Sequence, residues 1–272
     1  MTQTASTRKP IVDWLTVIAI AAITVSLNVA FHEGIHAIAC TALGGDLQEY
    51  SALHVACENT EVWRAKVEAG SASIANLILG TMLWLGLRNA RKQSSAFQFF
   101  LWLFMLMNWL AGAGYWMFSG VANIGDWAVV IEGWEPHGLW RVVMTIVGTA
   151  VFAFCIWLAL RELGQIIGGE APEQIQRASR LGLLSYFTAA VVVALAGSFN
   201  PYGFFGLPSM AGIFAILGAQ SPLLWMMQWF RAKQFVKAAK EPLEIARNWT
   251  VIAGAVITVF VYAVVLGRTL YF

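Results

Sequence analysis

Charge is scarce in this 272-residue chain: Asp, Glu, Lys and Arg together make up only 12% of it. A soluble domain carries about 25%, because its surface has to be solvated. A water-facing globule is therefore excluded. Cysteine is equally sparse: Cys40, Cys57 and Cys155 form no CxxC pair and are too few for a disulfide framework. A net charge of +2 excludes an electrostatic nucleic-acid binder. Aspartate occurs only three times, as Asp13, Asp46 and Asp126. There is no internal repeat and no low-complexity tract.

What the chain has instead is apolar mass. Hydrophobic residues are 59% of it, and the mean hydropathy is +0.67. That composition reads as an all-α polytopic membrane protein of about six to seven transmembrane helices, with a small extramembrane β-hairpin after the first. Thirteen Trp and seventeen Phe suit the aromatic belts of the two membrane interfaces. A span needs about 20 apolar residues. That ruler gives seven: Ile11–Leu43, Gly70–Leu87, Ala96–Phe118, Leu139–Leu160, Leu181–Phe199, Gly203–Phe230 and Trp249–Leu266, the sixth interrupted by Pro208 and Pro222. Ser119–Gly133 either extends the third helix or re-enters the membrane. Asn200–Pro208 breaks the chain between spans five and six.

With the N-terminus inside, thirteen Lys and Arg fall on the cytoplasmic side and four, Arg64, Lys66, Arg141 and Arg268, on the other. Cytoplasmic loops are enriched in these residues, so the N-terminus is expected in the cytoplasm and the C-terminus outside. Arg8-Lys9 leads an apolar run with no small-residue cleavage site before His32-Glu33, the pattern of a retained signal-anchor helix. The basic stretch Arg231–Lys240 reads as an inside-loop determinant touching anionic lipid.

The chemistry is concentrated in the first span, at His32-Glu33-Gly-Ile-His36. On a helix, positions i and i+4 share a face, so two imidazoles can meet one metal ion with Glu33 beside it as general base. Ionisable groups in a membrane helix cost at least about 2.5 kcal/mol each and mark function. Zinc, one per chain, is the expected ion, since two His, a carboxylate and an open position make a catalytic zinc site. Asp126, glycine-flanked in Gly125-Asp126-Trp127 and on the same side as the end of the first helix, is the expected third ligand; Glu132 and Glu68 are its rivals. Counting 1.5 Å per residue from Val12 places His32 about 30 Å along, near the far edge of the hydrocarbon core.

These residues resemble the site-2 protease family of intramembrane metalloproteases: His32-Glu-Gly-Ile-His36 on an early helix and, two spans later, a glycine-flanked Asp. Gly70-Ser-Ala-Ser-Ile-Ala-Asn76-Leu is similar to that family's Gly-Pro-x-Ala-Asn-Leu segment. The resemblance covers residues 15–133 and implies a three-helix metalloprotease core in 1–133, with further transmembrane helices of unknown role in 134–272. It implies a substrate-binding role for Asn76 and a site opening towards the cytosol. Two features depart from the pattern: Asp126 lacks the preceding proline, and Ala72 replaces a glycine. In the resembled family the region after the first span forms a hairpin that pairs with unfolded substrate. Here Val62–Glu68 alternates as a strand does, and Leu47–Cys57 is a weaker candidate for its partner.

Cys40 reads first as a small buried core residue, with a fourth-ligand role or a pairing with Cys57 as alternatives. His54 and His137 read as loop histidines, with proton shuttling or a secondary metal as alternatives. The function expected is a membrane-embedded zinc metalloprotease acting on a peptide bond in or near a substrate's transmembrane segment. Its partners are then a membrane-protein or peptide substrate and the lipid bilayer. Two other readings are an accessory or transport subunit with a structural or inactive metal site, and a zinc hydrolase acting on a lipid amide or ester.

Overall fold

The computed structural model describes residues 12–168, 171–231, 235 and 242–272. Among these, seven helices are long and apolar enough to cross a membrane, as in a multi-pass integral membrane protein. They are α1 (Trp14–Ala42), α2 (Val62–Asn89), α3 (Ser95–Ala122), α5 (His137–Ile166), α6 (Ala171–Phe199), a composite of α7 (Leu207–Gln220) with the short α8 (Pro222–Trp225) and a 3-10 turn, and α9 (Trp249–Val259) with the π and 3-10 turns that follow it. The short α4 (Asp126–Val130) lies between α3 and α5. Arg8, Lys9 and nearly all of the basic stretch Arg231–Lys240 fall outside the described residues.

Local chemistry sets the breaks. Asp13 caps α1, its Oδ1 accepting the Thr16 N–H at 2.9 Å, and Ser94 caps α3 through the Phe97 N–H. Pro208 sits in the first turn of α7, where a missing N–H costs nothing, and Pro222 opens α8. Of the two readings of Ser119–Gly133, extension of the third helix holds as far as Ala122: left-handed Asn123 ends α3, and α4 begins after Gly125 at φ +82°. That backbone conformation favours glycine and aims Asp126 back towards α1.

One expectation fails. Val62–Glu68 is not a strand but the first two turns of α2. The weaker segment, Leu47–Cys57, instead supplies both strands of the hairpin, one residue longer at each end: β1 (Asp46–Tyr50) pairs antiparallel with β2 (Val55–Glu58). Its turn is closed by Ser51, whose Oγ accepts the N–H groups of Leu53 and His54 at 3.2 and 3.0 Å. A third strand, β3 (Leu270–Tyr271), adds to the other edge of β1, giving the order β2-β1-β3. Cys40 and Cys57 form a disulfide that ties the last turn of α1 to β2, so Cys40 is neither a free core residue nor a ligand.

α1 is the central helix, packed by α2, α3, α6 and α9, while α5 lies along α3. The approach of α2 to α3 depends on Gly112: a Cβ there would lie 2.6 Å from the Ser73 carbonyl oxygen. This close crossing brings buried polar groups of the two helices together. Seven spans separate two ends of the bundle. The hairpin face carries the sheet, α4 and the α6–α7 connection; the opposite face carries Asp13, the α2–α3 turn and residues 242–248.

Candidate metal centre

His32 lies eighteen residues beyond Trp14, about 27 Å along α1, near the hairpin-face end of the span. His32, Glu33 and His36 are all buried. Across from them α4 delivers Asp126: its Oδ2 lies 3.3 Å from His32 Nε2 and 3.5 Å from His36 Nε2. These three atoms lie within 4.8 Å of one another. The rivals fall elsewhere. Glu132 is exposed beyond α4 and its backbone oxygen accepts from Lys66, while Glu68 meets the far nitrogen of His36.

The remaining imidazole nitrogens show what the near ones can do. His32 Nδ1 is 2.7 Å from Asn76 Oδ1. Asn76 Nδ2 donates to Asn108 Oδ1 at 2.8 Å, and Asn108 Nδ2 to the Phe104 carbonyl at 2.8 Å. The direction of that chain leaves Asn76 Oδ1 as an acceptor, so His32 carries its proton on Nδ1 and presents a bare Nε2. His36 Nδ1 likewise donates to Glu68, 2.9 Å from Oε1 and 3.2 Å from the backbone oxygen. The Tyr115 ring stacks on His32 at 4.9 Å and fixes its plane.

Two bare Nε2 atoms therefore face one carboxylate oxygen. A direct charge-assisted N–H···O bond would be about 2.7–2.9 Å long, shorter than either separation here. Tetrahedral coordination at about 2.0–2.2 Å sets ligand atoms about 3.3–3.6 Å apart, which matches both. Asp126 Oδ2 is shielded from solvent and has no hydrogen-bond partner. A carboxyl that binds a metal ion does so in its ionised form. The residues fit a metal ion. No family model, curated protein or solved structure matches this chain.

A cavity of about 900 Å3 opens onto this cluster. Glu33 and Asp126 line its floor, Leu53 and His54 of the hairpin turn its roof, and Phe118 and Phe214 its walls. Behind Glu33 a pocket of about 20 Å3, room for one water molecule, is bordered by Asn28 and Gln220. His54 does not aim a free nitrogen at the metal cluster. Its Nδ1 is 2.8 Å from Ser51 Oγ and its Nε2 3.0 Å from Glu49 Oε2, while Glu49 Oε1 accepts the Tyr202 hydroxyl at 2.7 Å. The bonds from His54 and Tyr202 hold the Glu49 carboxyl below its usual range. His137 begins α5 and bonds Asn123 Oδ1 at 3.0 Å, away from the cavity.

Asn76 is fully buried and does not line the cavity; both ends of its amide are spent on His32 and Asn108. The geometry thus makes it a positioning residue for His32 and gives it no contact surface for substrate. Its removal is expected to weaken metal binding about 10- to 100-fold, as outer-shell substitutions do. Asn76→Ala measured by competition with a chromophoric chelator checks this, with Asn76→Asp, which keeps the acceptor, retaining most of the affinity. Asn108 and Tyr115 escaped the sequence reading. The only signal for Asn108 was an amide at the centre of an apolar span whose other amide, Gln98, lies near its start.

Proposed function

We propose that the chain is a membrane-embedded zinc metallopeptidase that hydrolyses a peptide bond in or near a substrate's transmembrane segment. The observation that carries this reading is the convergence of His32 Nε2, His36 Nε2 and Asp126 Oδ2 beside a buried Glu33 on the floor of one large cavity. A purely structural site has no need of a base. When bound, zinc supplies Lewis acidity towards the scissile carbonyl and lowers the pKa of the attacking water.

The chain's own residues do the rest. Glu33 takes a proton from the attacking water as the new C–O bond forms. It returns that proton to the amide nitrogen as the C–N bond breaks, so the products are a carboxylic acid and an amine. Asn76 and Glu68 keep the imidazoles in their Nδ1–H form.

The same reading places the cavity on the oxidising side of the membrane. Disulfides persist in oxidising compartments, and the Cys40–Cys57 bond is on the hairpin face. Among the described residues eight Lys and Arg lie towards the opposite face and four towards the hairpin face, the bias of a cytoplasmic N-terminus. This differs from the cytosolic opening usual in the resembled family.

A second reading, a zinc hydrolase of lipid amides or esters, is favoured by one feature. An apolar cavity of about 270 Å3 between α3 and α7 adjoins the site and shares Tyr115, Phe118 and Phe214 with it, a shape suited to an acyl chain. Elemental analysis of detergent-purified wild type beside His32→Ala and Asp126→Ala tests the metal. About one zinc per chain is expected, lost or weakened in both variants. Zinc that survives Asp126→Ala would remove that ligand, and iron in place of zinc would redirect the chemistry. Incubating the loaded protein with transmembrane peptides and with lipid amides then separates the two substrate classes.

A further inference from the structure

On the opposite face of the bundle the ends of α2 and α5 enclose a second polar cavity, of about 410 Å3, lined by Arg88, Arg91, Arg161, Glu162 and Gln165. Glu162 is 5% exposed, an expensive burial for a carboxylate, and both its oxygens are engaged. Oε1 accepts the Trp84 indole N–H at 3.0 Å, and Oε2 pairs with the Arg91 guanidinium. That pairing neutralises Glu162 and holds Arg91 at the cavity. It also leaves Arg91 Nη1 shielded from solvent without a hydrogen-bond partner.

The other two guanidinium groups have no carboxylate partner among the described residues. Each lies on an indole face instead, Arg88 5.2 Å from the Trp84 ring centre and Arg161 5.8 Å from that of Trp157. Stacking of this kind fixes the plane of the guanidinium and leaves its N–H edge free. Three Arg against one Glu leave two net positive charges around one cavity. Tryptophan concentrates at the headgroup level of a bilayer, so the cavity sits where phosphate groups are most abundant. Topology alone asks only that cations lie on one side of the membrane. It does not ask that three of them converge on a cavity or that one be held by a buried carboxylate.

We propose that this cavity binds a phosphate group, carried by an anionic phospholipid headgroup or free in solution, in the fork of Arg88, Arg91 and Arg161. Guanidinium groups meet phosphate oxygens through paired N–H bonds, and basic pockets between membrane helices suit anionic headgroups. Glu162 acts as a positioning residue that keeps the Arg91 fork in place.

Native mass spectrometry of the detergent-solubilised full chain tests this, with phosphatidylglycerol, phosphatidylcholine and inorganic phosphate each added separately. Phosphatidylglycerol is expected to be retained at least about tenfold more tightly than phosphatidylcholine. The double variant Arg88→Gln/Arg161→Gln should lose about tenfold or more, the size of one lost charge-assisted contact. Lys92→Gln, which removes an exposed cation from the same face outside the cavity, should change nothing. Arginine-dependent binding of inorganic phosphate without lipid retention would assign the site to a soluble phosphate. Equal retention by wild type and the double variant, or an equal loss in Lys92→Gln, would overturn the proposal in favour of diffuse surface charge. The zinc content of each variant, read on the distant hairpin face, verifies that it is folded.

Discussion

Replacing Glu33 by glutamine should leave the metal in place and stop turnover. Glutamine has the shape of glutamate and still hydrogen-bonds, but it cannot accept the proton of an attacking water at neutral pH. Glu33 contributes no ligand atom to the His32–His36–Asp126 cluster, so metal content should match wild type. General acid–base catalysis is worth about 10²–10⁴-fold, and hydrolysis should fall by at least the lower figure. New amino termini released from model transmembrane peptides by the purified variant, measured beside its zinc content, check both halves. Turnover at the wild-type rate would remove Glu33 from the chemistry. Lost metal would instead make it part of the ligand shell.

The second large effect is one of sidedness. If the hairpin face is exoplasmic, a membrane-impermeant thiol reagent added to intact cells should label Glu132→Cys fully and Lys92→Cys not at all. Both positions are exposed, and they lie at opposite ends of the bundle. The native background is quiet, because Cys155 is buried and Cys40 and Cys57 are bonded to each other. Permeabilising the cells should make the two variants equal. The reverse pattern would put the metal cluster beside the cytosol and leave the Cys40–Cys57 bond in a reducing compartment, where such bonds are rare.

How much of this was legible in the residues depended on the range of the interaction that decided it. Membrane spans are set by local apolar runs, and all seven were readable, as was the shared face of His32 and His36, which needs only one helical turn. Asp126 could be nominated because an isolated acid beside Gly125 is conspicuous in an apolar stretch. Val62–Glu68 misled because its alternation suits a strand. As helix it brings Lys66 to the Glu132 carbonyl and Glu68 to His36, contacts no local pattern reveals. Asn76 was noticed for its surroundings, but its work depends on His32, 44 residues away, and on Asn108 in another helix. The disulfide spans 17 residues and forms because the hairpin folds back over α1, which cysteine spacing alone could not disclose.

The strand order β2-β1-β3 also says something about time. A chain is made from its N-terminus, so His32, His36 and Asp126 leave the ribosome early, and the first two strands with them. Leu270 and Tyr271, which complete the sheet above the cavity, follow all seven spans. Until they arrive, β1 has one unpaired edge; the Tyr262 hydroxyl of the seventh span, which donates to the Ala52 carbonyl at 3.1 Å, comes only eight residues earlier. Completion of the sheet thus waits for synthesis of all seven spans, and a nascent chain that ends short of Leu270 carries the His32–His36–Asp126 cluster beneath a two-stranded hairpin.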